Sequence, residues 1–302
     1  MGLTVTASTR PVVAIASVVV PAHDEATVID RLLESLTRDG APLRVVVACN
    51  GCHDHTADRA RAHAARSSVV DVTVVDIDRP SKAAALRAAE RLDLPLPRLF
   101  VDADVVVTSA AAVAVAEALR SGPALAARPP LRYDTEGADV WVRAYYRARS
   151  RTPALTSSLW GAGFYGVGEA GRARWGEFPD VGADDLFVDS LFSPDEVTIV
   201  DTDPVVVRTP RGVGALLRVL QRVHSPSHRT TDAGAAGWPG APNRSSAGSS
   251  RSSLGAVVRA NARRPAHAAD LVVYVGLSVL ARIGLRVMRT RTTWHRDNSS
   301  RR

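Results

Sequence analysis

Asp102-Ala103-Asp104 sets two carboxylates one residue apart at the end of the apolar run Leu99-Phe100-Val101, and Val105-Val106-Val107 follows. The flanks read as a buried strand. Burying a carboxylate is costly unless it is paired or binds a metal. A divalent cation, which takes oxygen ligands, is the chemistry this spacing suits. A solvated acidic turn is the alternative, and Asp-x-Asp alone does not separate the two. A second residue stands out by rarity. The chain has 37 Arg and a single Lys, Lys82. Where arginine serves for almost every cation, a lysine marks a place that needs a compact ammonium rather than a planar guanidinium. Two carboxylates with a metal, and one lysine, suit a diphosphate. The two cysteines, Cys49 and Cys52, have C-x-x-C spacing with the turn signal Asn50-Gly51 between them. There is no second pair, so they read as small buried or half-buried residues in a reducing compartment. The eight histidines show no H-E-x-x-H grouping, so zinc is not expected.

These residues need elements to hold them. Val12–Val20 is apolar and β-branched, and Pro21 is expected to end that strand. Ala26–Leu36 carries apolar residues at helical spacing. Arg44–Ala48 is a second strand, and Asp54 is placed to cap the Ala-rich helix that runs to about Arg66. Val69–Val75 is a third strand, Ser81 a cap for the helix Lys82–Leu92, Arg98–Val101 a fourth strand, and Ser109 a cap for the next helix. Strand–helix alternation repeated four times argues a parallel, doubly wound sheet. Ligands bind such sheets in the crevice at the carboxyl ends of the strands. Pro21–Glu25, Asn50–Asp54, Asp76–Lys82 and Asp102–Asp104 all fall at those ends. No G-x-G-x-x-G follows the first strand and no G-x-x-x-x-G-K-[ST] occurs, which disfavours dinucleotide oxidoreductases and P-loop enzymes.

On these residues the chain resembles the inverting glycosyltransferases of family 2. The resemblance rests on Val18-Val19-Val20-Pro21-Ala22-His23-Asp24-Glu25, Asn50–Thr56, Lys82–Leu86, Asp102-Ala103-Asp104, Gly161–Val167 and Ala183-Asp184-Asp185. It covers roughly residues 12–224. It implies a GT-A fold: a doubly wound, mostly parallel sheet with helices on both faces. It also implies roles. Pro21, Ala22 and Glu25 would hold the base and ribose of a nucleotide-diphosphate sugar, and Asp54 would recognise the base. Asp102 would bind the ribose, Asp104 a Mg or Mn ion on the diphosphate, and Lys82 the donor. Asp185 would be the catalytic base, with Asp184 supporting it. Gly161–Gly163 would let the acceptor approach the backbone. Asp24 stands where the family usually has Asn. The Gln-x-x-Arg-Trp motif of processive synthases is missing, and Arg211, Arg218 and Arg222 occupy that region.

The rest is read from composition. Hydrophobic content of 46% with 23% charge suits a globular chain. The net charge of +7 divides into −7 over residues 1–203 and +14 over residues 204–302. The basic end could meet nucleic acid or an anionic membrane. It holds only two Trp and one Tyr, too few for a base-stacking platform, so nucleic acid is not expected. The expected organisation is an N-terminal tail at 1–11, the catalytic domain at 12–224, a Ser/Gly/Ala/Pro-rich linker at 225–253 and an amphipathic, helical, Arg-rich tail at 254–302. The tail's longest uncharged stretch is the eleven residues Leu271–Ala281, short of the roughly 20 a spanning helix needs. Asp139–Arg149 reads as a helix packed by aromatics and solvated by arginines, with an acceptor surface as the alternative. The expectation is a cytoplasmic enzyme whose tail either packs back on the catalytic domain or holds it on the membrane's inner face; the second would set it beside a lipid-linked acceptor. Sugar nucleotidyltransferase is the first rival, but Pro21–Glu25 offers neither the glycines nor the basic residue its loop needs. A non-enzymatic membrane-surface or nucleic-acid-binding protein would explain the tail but not the acidic crevice.

Overall fold

The computed structural model describes residues 3–6, 14–67, 70–152, 157–223, 255, 257–261 and 267–288. The expected linker at 225–253 and the arginines from 289 onward lie outside them. Four parallel strands form the centre, in the spatial order β4 (Asp71–Ile77), β3 (Leu43–Asn50), β2 (Ala16–Ala22), β5 (Arg98–Val101). Each is β-branched or apolar at nearly every position, as a strand covered on both faces must be. The sheet is wider and more mixed than the pattern implied. β1 (Leu3–Thr6), within the expected N-terminal tail, pairs antiparallel with β4. Beyond β5 comes β9 (Phe164–Val167), antiparallel to it, then β7 (Ala126–Arg128) and β10 (Val197–Ile199). A second sheet joins β6 (Val105–Val106), β11 (Val205–Arg208) and β8 (Leu131–Asp134).

Alternation along the strands sorts the core into two layers. Val18, Val20, Val45 and Val47 pack with α1 (Ile29–Thr37), α2 (Thr56–Arg66) and α4 (Ser109–Ser121). Val19, Val46 and Phe100 face the other way, against α3 (Lys82–Glu90) and α7 (Asp184–Ser190). The short α6 (Glu169–Arg172) follows β9.

Local chemistry departs from expectation in three places. Pro21 does not end its strand; β2 continues to Ala22, paired with β3 as far as Ala22 opposite Cys49. Its pairing with β5 stops at Val19, so the proline falls where β2 has one neighbour left. Ser81 caps α3 as expected, accepting from the Ala84 N–H at 3.2 Å. For α4 the cap is Thr108, accepting from the Ala111 N–H at 3.1 Å, and Ser109 is the first helical residue. His55, not Asp54, occupies the cap position of α2, but Asp54 still accepts from the Thr56 N–H at 2.9 Å.

A third core lies beside the sheets. α5 (Val140–Ser150), α8 (Val213–Val223) and α9 (Ala268–Met288) bury Val142, Tyr145, Tyr146, Leu216, Tyr274, Leu277 and Ala281 together. Tyr145 stacks on Tyr274 with ring centroids 4.7 Å apart. Asp270 receives Arg147 at 2.6 Å and Arg151 at 2.9 Å. The C-terminal helix therefore packs on the catalytic domain. Among the described residues no helix is long and apolar enough to cross a membrane.

Candidate active site

Lys82 opens α3, and its Nζ lies 2.6 Å from Asp102 Oδ1 and 2.6 Å from Asp184 Oδ1. The lone lysine thus bridges the end of β5 to the start of α7. Burial alone would lower its pKa, but Asp102, Asp184 and Asp185 overcome that and hold the ammonium well above the ordinary lysine range. Tyr165, on β9, donates to Asp184 Oδ2 at 2.8 Å. Both oxygens of this buried carboxylate are therefore engaged. Asp185 accepts the Leu186 N–H at Oδ1 and the Gly161 N–H at Oδ2, each at 2.8 Å. Burial first, then the neighbouring Asp184, push its pKa up to about 6, with Lys82 and the Gly161 N–H opposing. A carboxylate so raised is poised to accept a proton near neutral pH. Pro21, Lys82, Phe100, Val101, Asp102, Gly163, Tyr165, Asp184 and Asp185 line one small crevice.

The glycines make this convergence possible. Gly161 and Gly163 have φ of 79° and 66°, in the left-handed region where a Cβ is disfavoured. The Gly163 carbonyl accepts from the Asp102 N–H at 2.8 Å. A Cβ on Gly163 would lie 2.5 Å from Val105 Cγ1 and 3.3 Å from Asp102 Oδ2. The segment can approach the strand end only without a side chain.

The other site residues form a layer beside the crevice. Asn50 Nδ2 donates to the Ala22 carbonyl at 2.8 Å, and the Glu25 N–H to Thr56 Oγ1 at 2.6 Å. Asp54 Oδ2 accepts from the Ala26 N–H at 3.1 Å. Ala22, Glu25 and Asp54 thus stitch the loops after β2 and β3 together and do not line the crevice itself. Asp104 is exposed in the turn after Asp102, where Arg31 donates to its backbone carbonyl at 3.3 Å. Carboxylates such as Asp102 and Asp104 are the donor type that Mg2+ or Mn2+ takes. Asp102 is paired to Lys82, whereas Asp104 interacts electrostatically with Arg31 and does not line the crevice.

Tyr165 lay within a recognised segment, but no spacing in the sequence tied its hydroxyl to Asp184, nineteen residues on. Trp175 is buried against Phe178 and Phe187 and belongs to the core. Arg211, Arg218 and Arg222 are exposed, and none lines the crevice. On α5 the tyrosines are core, while Trp141 is 57% exposed.

The open, mostly parallel α/β sheet, with its acidic crevice at the carboxyl ends of the strands, has the GT-A fold. Residues 14–157 match the model of the glycosyltransferase-like family 2. No curated protein matches the chain by sequence. The fold is similar to that of the mannosyltransferase PcManGT from Pyrobaculum calidifontis in complex with GDP-Man and Mn2+. That likeness has a TM-score of 0.54 at 19% identity, over 90% of this chain and 80% of that one. It is also similar to glucosyl-3-phosphoglycerate synthase from Mycobacterium tuberculosis in complex with Mn2+, UDP and glucosyl-3-phosphoglycerate. There the TM-score is 0.51 at 19% identity, over 74% of this chain and 80% of that one.

Proposed function

We propose that this protein transfers a sugar from a nucleotide-diphosphate sugar to an acceptor hydroxyl in a single displacement, inverting the anomeric centre. The observation that carries the reading is the Lys82 bridge between Asp102 and Asp184, with Asp185 beside it in one crevice. Pro21, Ala22, Glu25 and Asp54 would hold the base and ribose, and Asp102 the ribose hydroxyls. Asp104 would hold a Mg2+ or Mn2+ ion, which offsets the negative charge gathering on the departing diphosphate. Lys82 adds a fixed positive charge to the same region. Asp185 takes the proton of the attacking hydroxyl, the one base an inverting displacement needs. Asp184, held at both oxygens by Lys82 and Tyr165, positions rather than accepts.

The test is nucleotide release from a panel of donor sugars, with Mg2+ or Mn2+ and with chelator. We expect release with one donor, lost in chelator and lost in Asp104→Ala with the fold intact. Full activity in excess chelator or in Asp104→Ala would remove the metal assignment. Pyrophosphate chemistry instead of sugar transfer would make the protein a nucleotidyltransferase.

The acceptor side has a second support. On α9, Asp270, Tyr274, Leu277 and Ala281 face the domain, while Val272, Val279, Leu280 and Ile283 are 41–71% exposed. Helical spacing puts these four on the opposite face. The Arg147–Asp270 and Tyr145–Tyr274 contacts set α9 antiparallel to α5. Exposed Val140 and Trp141 therefore lie toward the same end as Leu280 and Ile283. In sequence Arg289, Arg291, Arg296, Arg301 and Arg302 follow, with Trp294 among them. An apolar face with arginines beyond it suits the anionic inner face of a cell membrane. The proposal is a cytoplasmic, peripheral enzyme of cell-envelope glycan or glycolipid synthesis, acting on a lipid-linked acceptor.

A further inference from the structure

The loops after β2 and β3, which carry the residues proposed for the base and ribose, also bring together a group of side chains given no role above. His23, Asp24 and Cys52 each offer one ligand atom, and these atoms all lie within 4.8 Å of one another. Around a tetrahedral ion with bonds of about 2.0–2.3 Å, such atoms stand about 3.3–3.8 Å apart. Small side-chain movements close the difference.

Two of the ligands are already oriented. His23 Nδ1 lies 2.6 Å from the Asn50 carbonyl. A carbonyl only accepts, so Nδ1 carries the proton, and Nε2 is the ring nitrogen on the Asp24 side. A ring N–H held by a backbone carbonyl is the usual outer partner of a metal-bound imidazole. Asp24 has a positive φ of 49°, and its Oδ1 accepts from the His53 N–H at 2.6 Å. Its Oδ2 stands 4.0 Å from His23 Nε2. The third ligand, Cys52 Sγ, is only half-buried and lies 3.6 Å from the Ala22 carbonyl. Cys49, by contrast, is fully buried.

We propose that His23 Nε2, an Asp24 carboxylate oxygen and the Cys52 sulfur bind one zinc-class divalent ion. Cys52 releases its thiol proton to solvent on binding, His23 keeps its Nδ1 proton, and a fourth position stays open to water. Imidazole, thiolate and carboxylate together select zinc-like ions, whereas Mg2+ and Mn2+ prefer oxygen alone. The site is therefore distinct from that proposed at Asp104, and it stands whether or not the donor assignment does. The sequence concealed it because no two of the three residues have a zinc-motif spacing; the parallel pairing of β2 with β3 brings their loops together.

The test uses the full chain, stripped of metal and titrated with Co2+ alone as a spectroscopic substitute for Zn2+. We expect one equivalent to give a thiolate-to-cobalt charge-transfer band that Zn2+ abolishes. Cys52→Ser should lose the band, and His23→Ala and Asp24→Ala should each weaken binding at least tenfold. Cys49→Ser should keep it. Because a variant can misfold, the unaltered protein gives an independent reading. Zn2+ should protect Cys52 from alkylation, located by peptide mass. No band, no protection, or a band that survives Cys52→Ser would overturn the proposal. Loss of the band in Cys49→Ser as well would overturn it too, assigning the ion to the C-x-x-C thiols.

Discussion

At the scale of single residues, the acidic pair after Ala183 divides its work by hydrogen bonding. Asp184 is tied at both oxygens, whereas Asp185 receives only backbone N–H groups. Asp185→Asn should lower the transfer rate by about 10²–10⁴-fold and leave donor binding in place. With Asp185 at about 6, the rate of the unaltered enzyme should fall as pH drops through 6, because protonation removes the base. The stability effect has the opposite sign. A carboxyl raised on folding contributes most below its unfolded pKa, near 4, and that contribution is lost as pH rises through about 6. Thermal melts should therefore show Asp185→Asn gaining on the unaltered protein from pH 4 to 7. A variant that loses ground over that range, or keeps its rate, would move the base elsewhere. Gly163→Ala tests the close approach at the strand end. It incurs about 1–2 kcal/mol of left-handed strain and a clash at Val105. It should lower the melting temperature and raise the donor KM by displacing Asp102.

At the scale of elements, the crevice depends on α3, β5 and α6 keeping their register. Glu90, the last residue of α3, is half-buried with its side chain 8% exposed, and it receives Arg98 of β5 at 2.8 Å and Arg172 of α6 at 2.7 Å. Removing its carboxylate leaves two arginines without their shared partner. Glu90→Ala should cost about 3–5 kcal/mol, read by denaturant unfolding, although Glu90 lies outside the crevice. A cost under 1 kcal/mol would show that the three elements hold without it. From β2 to α4 the strands and helices, the two-residue β6 excepted, were legible in the sequence because apolar runs and amphipathic spacing record burial directly, whereas β1 was read as tail. Helix caps were less so: Ser81 behaves as read, but Thr108 displaces Ser109 and His55 stands where Asp54 was expected. Neighbouring polar residues compete for one position, and a shift of one residue decides which wins.

At the scale of the molecule, the charge asymmetry and the exposed face of α9 give the membrane reading its test. Cutting the chain before α9 would strip Tyr274, Leu277 and Ala281 from the third core, so truncation confounds folding with binding. Leu280→Glu with Ile283→Glu alters only the exposed face. We expect the full chain to co-sediment with anionic vesicles, less so at high salt, and not with neutral ones. Each arginine near the surface contributes on the order of 1 kcal/mol. The double variant should lose most of that binding while melting at the same temperature. Equal binding of both proteins would confine the contact to the arginines, and no binding by either would end the membrane reading.

The sequence by itself determined the alternating strands and helices, the polar clusters at the strand ends, Lys82 as the singular cation and the basic C-terminal third. These are local or one-dimensional properties, carried by side-chain type and period. Tertiary structure decided what a linear pattern cannot encode: which loops meet. Asp184 comes 102 residues after Lys82, yet both reach the end of β5 because β9 inserts antiparallel beside it. Likewise α9 reads as an amphipathic tail, but whether it buries its polar-flanked or its apolar face depends on Tyr145, Arg147 and Arg151, more than a hundred residues earlier. The energy of such contacts belongs to pairs of residues distant in the chain, so it appears only once the chain is folded.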